Sequence, residues 1–577
     1  MALTHRDIRD RFRAFYQKTG HKEVPAIPLV PQNDPTTLFT GSGMQQFVPN
    51  LLGEPHPQGK LLFNIQPCLR AQDIEEVGDN RHTTFFEMIG NWSLGVYFKK
   101  EQLTRLFHFL LDQKNGLGLN FKKLYVTVFK GEGKIPKDTE SIEIWKNLFK
   151  EQGIQAEVGE RILEYGGDKN WWSRAGAPQH MPAGEPGGPD SEVFYDFGPE
   201  YKFHENSPYK SQPCHPNCDC GRYMEICNSV FMEYKKEQDG SFSELPSKNV
   251  DFGGGMERFA AAINDNPDVY KTDLYSPIIK IIEETTGKSY RDSEYQTAMR
   301  IIADHLKAAT YLIINGVYPS NKTQGYFLRR LLRRTAVKSY NLIGTYTPRF
   351  DEIIEKGIFQ TYSDIHGLNK AKHYDEAVDV INAEMEKFGK TLKRGLQEIQ
   401  KKSRLDGKTV FDLYQTYGFP LEITEELAKE RDLKLDKEDF YKEFEKHKEL
   451  SKKSSSGMFK GGLADHSEQV LKYHTATHLL HQALFDVLGQ DVRQEGSNIT
   501  GERLRFDFYS SKKPSDDDVK KIEEIVNKKI REGLPVNFEI VPKNKAFEIG
   551  AKAFFREKYP DKVKIYFIGG SLKEPEE

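Results

Sequence analysis

The chain has 577 residues, 37% of them hydrophobic and 29% charged, with a formal net charge of −3. This describes a soluble globular protein of about three to five domains and excludes a disordered chain. It also excludes a polycation, so any nucleic-acid contact must come from a local basic face. No apolar run approaches the ~18 residues of a membrane helix, and the N-terminus lacks a signal-peptide core. Five cysteines argue against a disulfide scaffold and for a reducing compartment.

Thr4 and Asp7 have capping-box spacing, and Ile8, Phe12, Phe15 and Tyr16 follow at helical intervals, which predicts a first helix ending near Gly20. Pro25, Pro28, Pro31 and Pro35 forbid a helix in the next stretch. From Cys68 to Gly95, two β-prone runs joined by a polar, acidic loop predict an antiparallel hairpin. Arg70 and Arg81 fall near its loop-side ends with Phe85 and Phe86 just behind. Guanidinium forks bind phosphate oxygens bidentately and an aromatic face stacks on a base, so the arrangement suits a nucleoside triphosphate. An ordinary surface hairpin carries arginines too.

Helices are expected over 102–111 and 141–152, with a strand over 124–129 between them. Trp171 and Trp172 lie together in a Gly-rich loop, where two indoles mark a wall or a core. Cys214, His215, Cys218 and Cys220 place three thiols and an imidazole within seven residues. A structural zinc on Cys214, Cys218 and Cys220 and a set of buried free thiols both remain open. The run 224–234 alternates as a strand presenting Asn228. Asp251 then precedes Gly253, Gly254 and Gly255, and Arg258 opens a helix. A Gly-rich strand-to-helix turn beside an arginine has the form of a phosphate cradle, although glycine triplets also make plain turns.

From 272 to about 450 the pattern is mostly helical. Arg329, Arg330, Arg333 and Arg334 share one helix face without balancing acids in the run, which suits phosphate contact. The stretch KKSSSGMFKGG over 452–462 reads as a linker. His474 and His478 follow at i, i+4, so both imidazoles can face one metal.

Arg70 with Arg81-x-x-x-Phe85 resembles motif 2 of the class II aminoacyl-tRNA synthetases. The fuller string RHTTFFEMIGNWSLGVYF is similar to the alanyl-tRNA synthetase family in particular. GGGMER resembles motif 3, and the stretch from His21 to Phe47 resembles the motif 1 region. ADHLKAATYLIINGVYPSNKTQGYFLRRLLRR and TVFDLYQTYGFPLEIT are similar to strings of the family's tRNA-recognition domain, with Gln415 where Asp is usual. HTATHLLHQAL resembles the family's editing domain.

The resemblance implies an α+β chain: a class II mixed antiparallel sheet with helices, a mostly helical tRNA-recognition domain, then a partial α+β editing-like domain. The expected boundaries are 1–262, 263–451, a linker over 452–462, and 463–577. The implied activity is ATP-dependent ligation of L-alanine to tRNA(Ala), without a protein nucleophile, in the cytoplasm and with neither membrane nor DNA as partner. Arg70 and Arg258 would be the catalytic pair, on the α- and γ-phosphates. Arg81, Phe85, Gly253 and Gly255 would complete the ATP site, Phe85 stacking on adenine with Phe86 as the alternative, and Mg2+ would accompany ATP. Trp172, Asn228 and Asp251 would hold alanine, Asp251 on its ammonium. Asn321, Arg329, Arg330, Arg333, Arg334 and Gln415 would contact tRNA. His474 and His478 would be half of an editing Zn2+ site. No cysteine follows Cys227 and no histidine follows His481, so the second pair is missing. A C-terminal truncation and impaired editing are therefore expected.

Overall fold

The computed structural model describes residues 3–31, 37–344, 350–456, 468–489, 492–499, 504–510, 514–542, 545–546 and 562–569. It divides into two units, Met1–Leu405 with Asp412–Leu435, and Asp406–Phe411 with Asp436–Glu577.

The first unit is built on a nine-stranded sheet. Its strands are β1 (Lys22–Glu23), β2 (Leu61–Leu69), β3 (Phe85–Leu94), β4 (Leu124–Phe129), β5 (Ile162–Tyr165), β6 (Trp171–Trp172), β7 (Pro186–Asp196), β8 (Tyr223–Lys236) and β9 (Phe242–Gly255). The order is β1-β2-β3-β9-β8-β7-β4-β5, with β6 beside β7. β1–β2 and β4–β5 are parallel and the other pairings antiparallel, which makes the sheet mixed. The hairpin expected around Arg70 is β2–β3, with Leu69 opposite Phe85.

Helix α1 (His5–Lys18) starts on the Thr4–Asp7 capping box. It buries Ile8, Phe12 and Tyr16, the stripe its sequence spacing foretells. α2 (Lys99–Leu111), α3 (Thr139–Glu151) and α4 (Met256–Ile263) follow, and α4 packs on β3, β8 and β9. The helical region continues as α5 (Ser276–Thr286), α6 (Ser293–Ile314), α7 (Thr323–Ile343), α8 (Lys370–Gln400) and α9 (Leu421–Glu430). A short parallel pair, β10 (Arg404–Leu405) and β11 (Lys434–Leu435), ends the unit. One continuous core runs from Phe12 through Phe85, Phe252 and Phe259 to Tyr311, Leu331 and Phe388. The regions expected on either side of residue 262 thus share a core and form one compact unit.

The second unit is also α+β. It contains α10 (Lys437–Ser456), α11 (Glu468–Leu488), α12 (Asp516–Glu532) and two antiparallel pairs. These are β12 (Arg493–Ile499) with β13 (Leu504–Tyr509), and β14 (Val536–Pro542) with β15 (Lys562–Ile568). Ala483, Leu484, Val492 and Ile522 form a small core. The linker expected from 452 starts instead as helix, since α10 meets no Gly or Pro before Gly457. The rest of that expected linker, 457–462, lies outside the described residues.

Candidate active site

Strand register brings most of the candidate residues to one face of the sheet, because directly opposed residues of antiparallel strands point the same way. One row across the sheet is Asn64, Gly90, Gly253, Asn228 and Glu192. The neighbouring row is Leu62, Trp92, Asp251, Val230 and Asp190. Toward the hairpin loop the same face carries Met88, opposite Gly255, and then Phe86, opposite Cys68.

Arg70 stands at this loop end. Its amide donates to the Thr84 carbonyl at 3.0 Å, its Nε donates to the Gly41 carbonyl at 3.2 Å, and its guanidinium lies 5.0 Å from the Phe86 ring centre. Arg258, in the first turn of α4, donates to the Glu225 carbonyl at 2.9 Å and to its carboxylate at 3.1 Å. Burial pushes the Asp73 carboxyl up, and both Arg70 and Arg258 pull against it. Arg81 is turned toward the cysteine loop, donating to the Asp219 carbonyl at 3.0 Å. Among the three glycines, Gly254 faces the helices, where a Cβ would overlap the Phe259 ring. Gly253 lies on the site face under the Met88 sulfur.

The Phe85 ring is not open to a base. It is fully buried, stacked on Tyr311 at 4.3 Å between ring centres, with the Lys307 ammonium 5.0 Å from its ring. Strand alternation sends Phe85 toward the helices and leaves Phe86 half-buried on the site face. The aromatic beside Arg70 is therefore Phe86.

At the other end of the face the site is acidic. Asp251, opposite Trp92, has its carboxyl pushed up to about 7 by desolvation, with the Trp92 side chain pulling the other way. Asp190 is likewise raised to about 7 by desolvation, against hydrogen bonds from Asn170 and Asn228 and reinforced by Glu225. Glu192 rises further from the same burial and from Glu225 and Asp190. Asn170 Nδ2 donates to Thr127 Oγ1 at 2.7 Å and to Asp190 at 3.0 Å. The Oδ1 atoms of Asn170 and Asn228 are buried and find no hydrogen-bond partner among the described residues. Two unspent carbonyl acceptors thus lie among crowded carboxyls. Trp172 pairs with Gly188 on β7 and lines a small recess with Met44, Val48, Leu51 and Met232, whereas Trp171 is core. Sequence reading missed Asn170, Asp190, Glu192 and Glu225. Acids at period two in a strand as buried as β7 were the signal that could have found the two on β7.

His204, Cys214, Cys218 and Cys220 gather with their ligand atoms within 4.8 Å of one another. His215, the neighbour in sequence, instead pairs its Nδ1 with the Tyr165 hydroxyl at 2.9 Å.

The four arginines of α7 do have balancing acids. Arg329 and Arg333 meet Glu384 at 3.0 and 2.6 Å, Arg330 pairs with Glu75, and Arg334 meets Glu426 at 2.7 Å. Arg334 also donates to the Ile74 and Val77 carbonyls of the hairpin loop. Each side chain is at most 13% exposed, so a phosphate would have to displace a carboxylate. Asn321 accepts from Arg329, and Asn321 and Gln415 are exposed. In the second unit, His474 and His478 stand one turn apart with ring centres 4.9 Å apart. No third ligand gathers with them among the described residues.

The family model described as tRNA synthetases class II (A) matches residues 7–496. The chain belongs to the class II tRNA synthetases. It is 44% identical to the alanine–tRNA ligase of Treponema denticola over 98% of this chain and 92% of that protein. It is 44% identical to that of Borreliella afzelii over 98% and 93%, and 33% identical to that of Thermotoga maritima over 99% and 76%. Within the class, the chain falls in the alanine–tRNA ligase family.

Proposed function

We propose that this chain activates L-alanine with ATP and transfers the alanyl group to tRNA(Ala), using the single sheet face that carries Arg70, Phe86, Arg258, Asn228 and Asp251. The observation that carries the assignment is the register itself. It sets Phe86, Asn228 and Asp251 on one face, with Arg70 and Arg258 at the Phe86 end and the unspent acceptors among the acids at the other. Phosphates suit the first end and an amino acid's ammonium suits the second.

In the first step the alanine carboxylate attacks the α-phosphate and pyrophosphate leaves. In the second the 3′-terminal ribose hydroxyl of tRNA attacks the alanyl carbonyl and AMP leaves. The protein positions reactants and offsets charge. Arg70 holds the α-phosphate, Arg258 and Arg81 the outer phosphates, and Phe86 the adenine. Asp251 and Asn228 hold the ammonium, and Trp172 and Val230 bound the space for a methyl group. Mg2+ would supply charge on the phosphates. It takes oxygen ligands, and the half-buried Glu225 beside Arg258 offers one. The donor set of His204, Cys214, Cys218 and Cys220 fits Zn2+.

tRNA contact falls to exposed groups such as Asn321 and Gln415, with the α7 arginines as their support. His474 and His478 are read as half of an editing Zn2+ site, with no third ligand gathered beside them among the described residues. Five free thiols suit the cytoplasm. Among the described residues no helix is long and apolar enough to cross a membrane.

The test is alanine-dependent ATP–pyrophosphate exchange with wild type and Arg70→Ala. Exchange with alanine, abolished in the variant, is expected. Absence of exchange with every amino acid would sink the ligase reading.

A further inference from the structure

We propose that His204, Cys214, Cys218 and Cys220 hold one Zn2+ whose loop is a clamp for Arg81, so that loading this metal sets the enzyme's affinity for ATP. The proposal rests on the reading of Arg81 as an ATP ligand.

Two of the ligand–ligand distances match those of a bound ion. Tetrahedral zinc with bonds of ~2.3 Å to sulfur and ~2.0–2.1 Å to nitrogen places two sulfurs about 3.8 Å apart, and sulfur and nitrogen about 3.5 Å apart. Cys214 and Cys220 Sγ are 3.8 Å apart, and Cys218 Sγ is 3.5 Å from His204 Nδ1. The histidine is oriented from behind, because its Nε2 donates to the Gln212 carbonyl at 2.8 Å. That bond leaves Nδ1 as the lone-pair nitrogen, the arrangement that outer partners of metal-bound histidines enforce. The Cys218 amide donates to the His215 carbonyl at 2.8 Å, closing a turn that aims the thiols inward. A cation would draw off their protons.

The link to ATP is one residue long. Asp219 lies between the ligands Cys218 and Cys220, so metal ligation fixes its peptide on both sides. Its carbonyl accepts from Arg81 Nη2 at 3.0 Å. Gly221 follows at φ +93°, and a Cβ there would stand 2.7 Å from Arg81 Nη1. The guanidinium is thus held by a backbone that the ion would shape. Asp79, 3.8 Å from Arg81 Nε, is its other anchor.

The experiment uses the full chain. Metal content is measured by mass spectrometry, and cobalt substitution is followed for thiolate-to-metal bands. One zinc per chain is expected in wild type. Cys218→Ser should lose it, and His204→Cys should keep it as a four-thiolate site, which controls for misfolding. On zinc removal, the KM for ATP in exchange should rise about tenfold, while kcat and the KM for alanine change little. Arg81→Ala should show the same rise and no further change on zinc removal. A metal-free wild type, or a Cys214–Cys220 disulfide in its place, would overturn the site. Bound zinc whose removal leaves the ATP KM of the folded chain unchanged would overturn the clamp. An Arg81→Ala variant with normal ATP KM would overturn the reading of Arg81 while leaving the zinc stoichiometry to stand.

Discussion

The Thr84 hydroxyl donates to the Asp304 carboxylate at 2.6 Å, and the Thr84 amide donates to its other oxygen at 2.8 Å. This ties the residue before Phe85 to helix α6. From Asp304 the connection continues through His305 Nδ1 at 2.9 Å, then from His305 Nε2 to Arg334 at 3.1 Å, and on to Glu426 in α9. Thr84, Asp304 and His305 are fully buried. The β2–β3 hairpin and the helices α6, α7 and α9 are therefore joined by one dry polar chain, in which removing any member strands the next.

Asp304→Ala should accordingly destabilise the first unit by about 3 kcal/mol, because it leaves a buried amide, a hydroxyl and an imidazole unsatisfied. Thermal unfolding would show a fall in Tm. Asp304→Asn should cost less, since one oxygen remains to accept. Equal Tm for the wild type and Asp304→Ala would contradict the chain.

Phe85 and Phe86 should respond differently to the same substitution. Phe85→Ala empties a ring-sized space beside Tyr311 and should cost about 3–5 kcal/mol of stability. Phe86→Ala, on the half-buried site face, should leave the melting temperature nearly intact and raise the KM for ATP about tenfold or more. Unfolding curves together with exchange kinetics separate the two.

This pair also marks what the sequence made legible. The β2–β3 hairpin, the β8 strand with Asn228 and the strand-to-helix turn at Gly255 all follow from local pattern, and the structure contains them. Alternation says that Phe85 and Phe86 face opposite ways, but which side is roofed by Tyr311 depends on a helix more than 200 residues later. The same limit hid the partners of the α7 arginines. Glu75 and Glu384 are 255 and 55 residues from Arg330 and Arg329, and helical period cannot say what a face meets. His204 was missed because it lies ten residues before Cys214, outside the tight spacing of the thiols, while His215 lies within it.

Alanine binding should depend on pH through Asp251. Its carboxyl sits near 7 because desolvation penalises the charged form. The ammonium needs the carboxylate, so the KM for alanine should rise as pH falls through 7, by up to tenfold per unit below it. Stability runs the other way. A pKa raised from 3.8 favours folding below 3.8, and that contribution is lost as pH rises toward 7. The unliganded protein should therefore weaken over that window, and bound alanine should restore it. Asp190 titrates in the same range and adds to the slope. Asp251→Asn should raise the KM and flatten its pH dependence, measured by exchange between about pH 6 and 8. An unchanged profile would remove Asp251 from the ammonium site.

The arginines of α7 make the sharpest contrast with residues that touch tRNA directly. Removing one cation that sits on a phosphate should reduce the slope of log K against log salt by about 0.9 for a duplex. Arg333→Ala removes an internal partner of Glu384, whose carboxylate is buried with it. It should lower Tm and leave the salt slope of tRNA binding unchanged. Asn321→Ala and Gln415→Ala alter exposed groups, so Tm and alanine-dependent exchange should hold while transfer to tRNA falls. A salt slope that drops by about one unit in Arg333→Ala, with Tm intact, would mean that the guanidinium leaves Glu384 for a phosphate when tRNA binds. Unchanged transfer in both Asn321→Ala and Gln415→Ala would move the recognition surface away from these two residues.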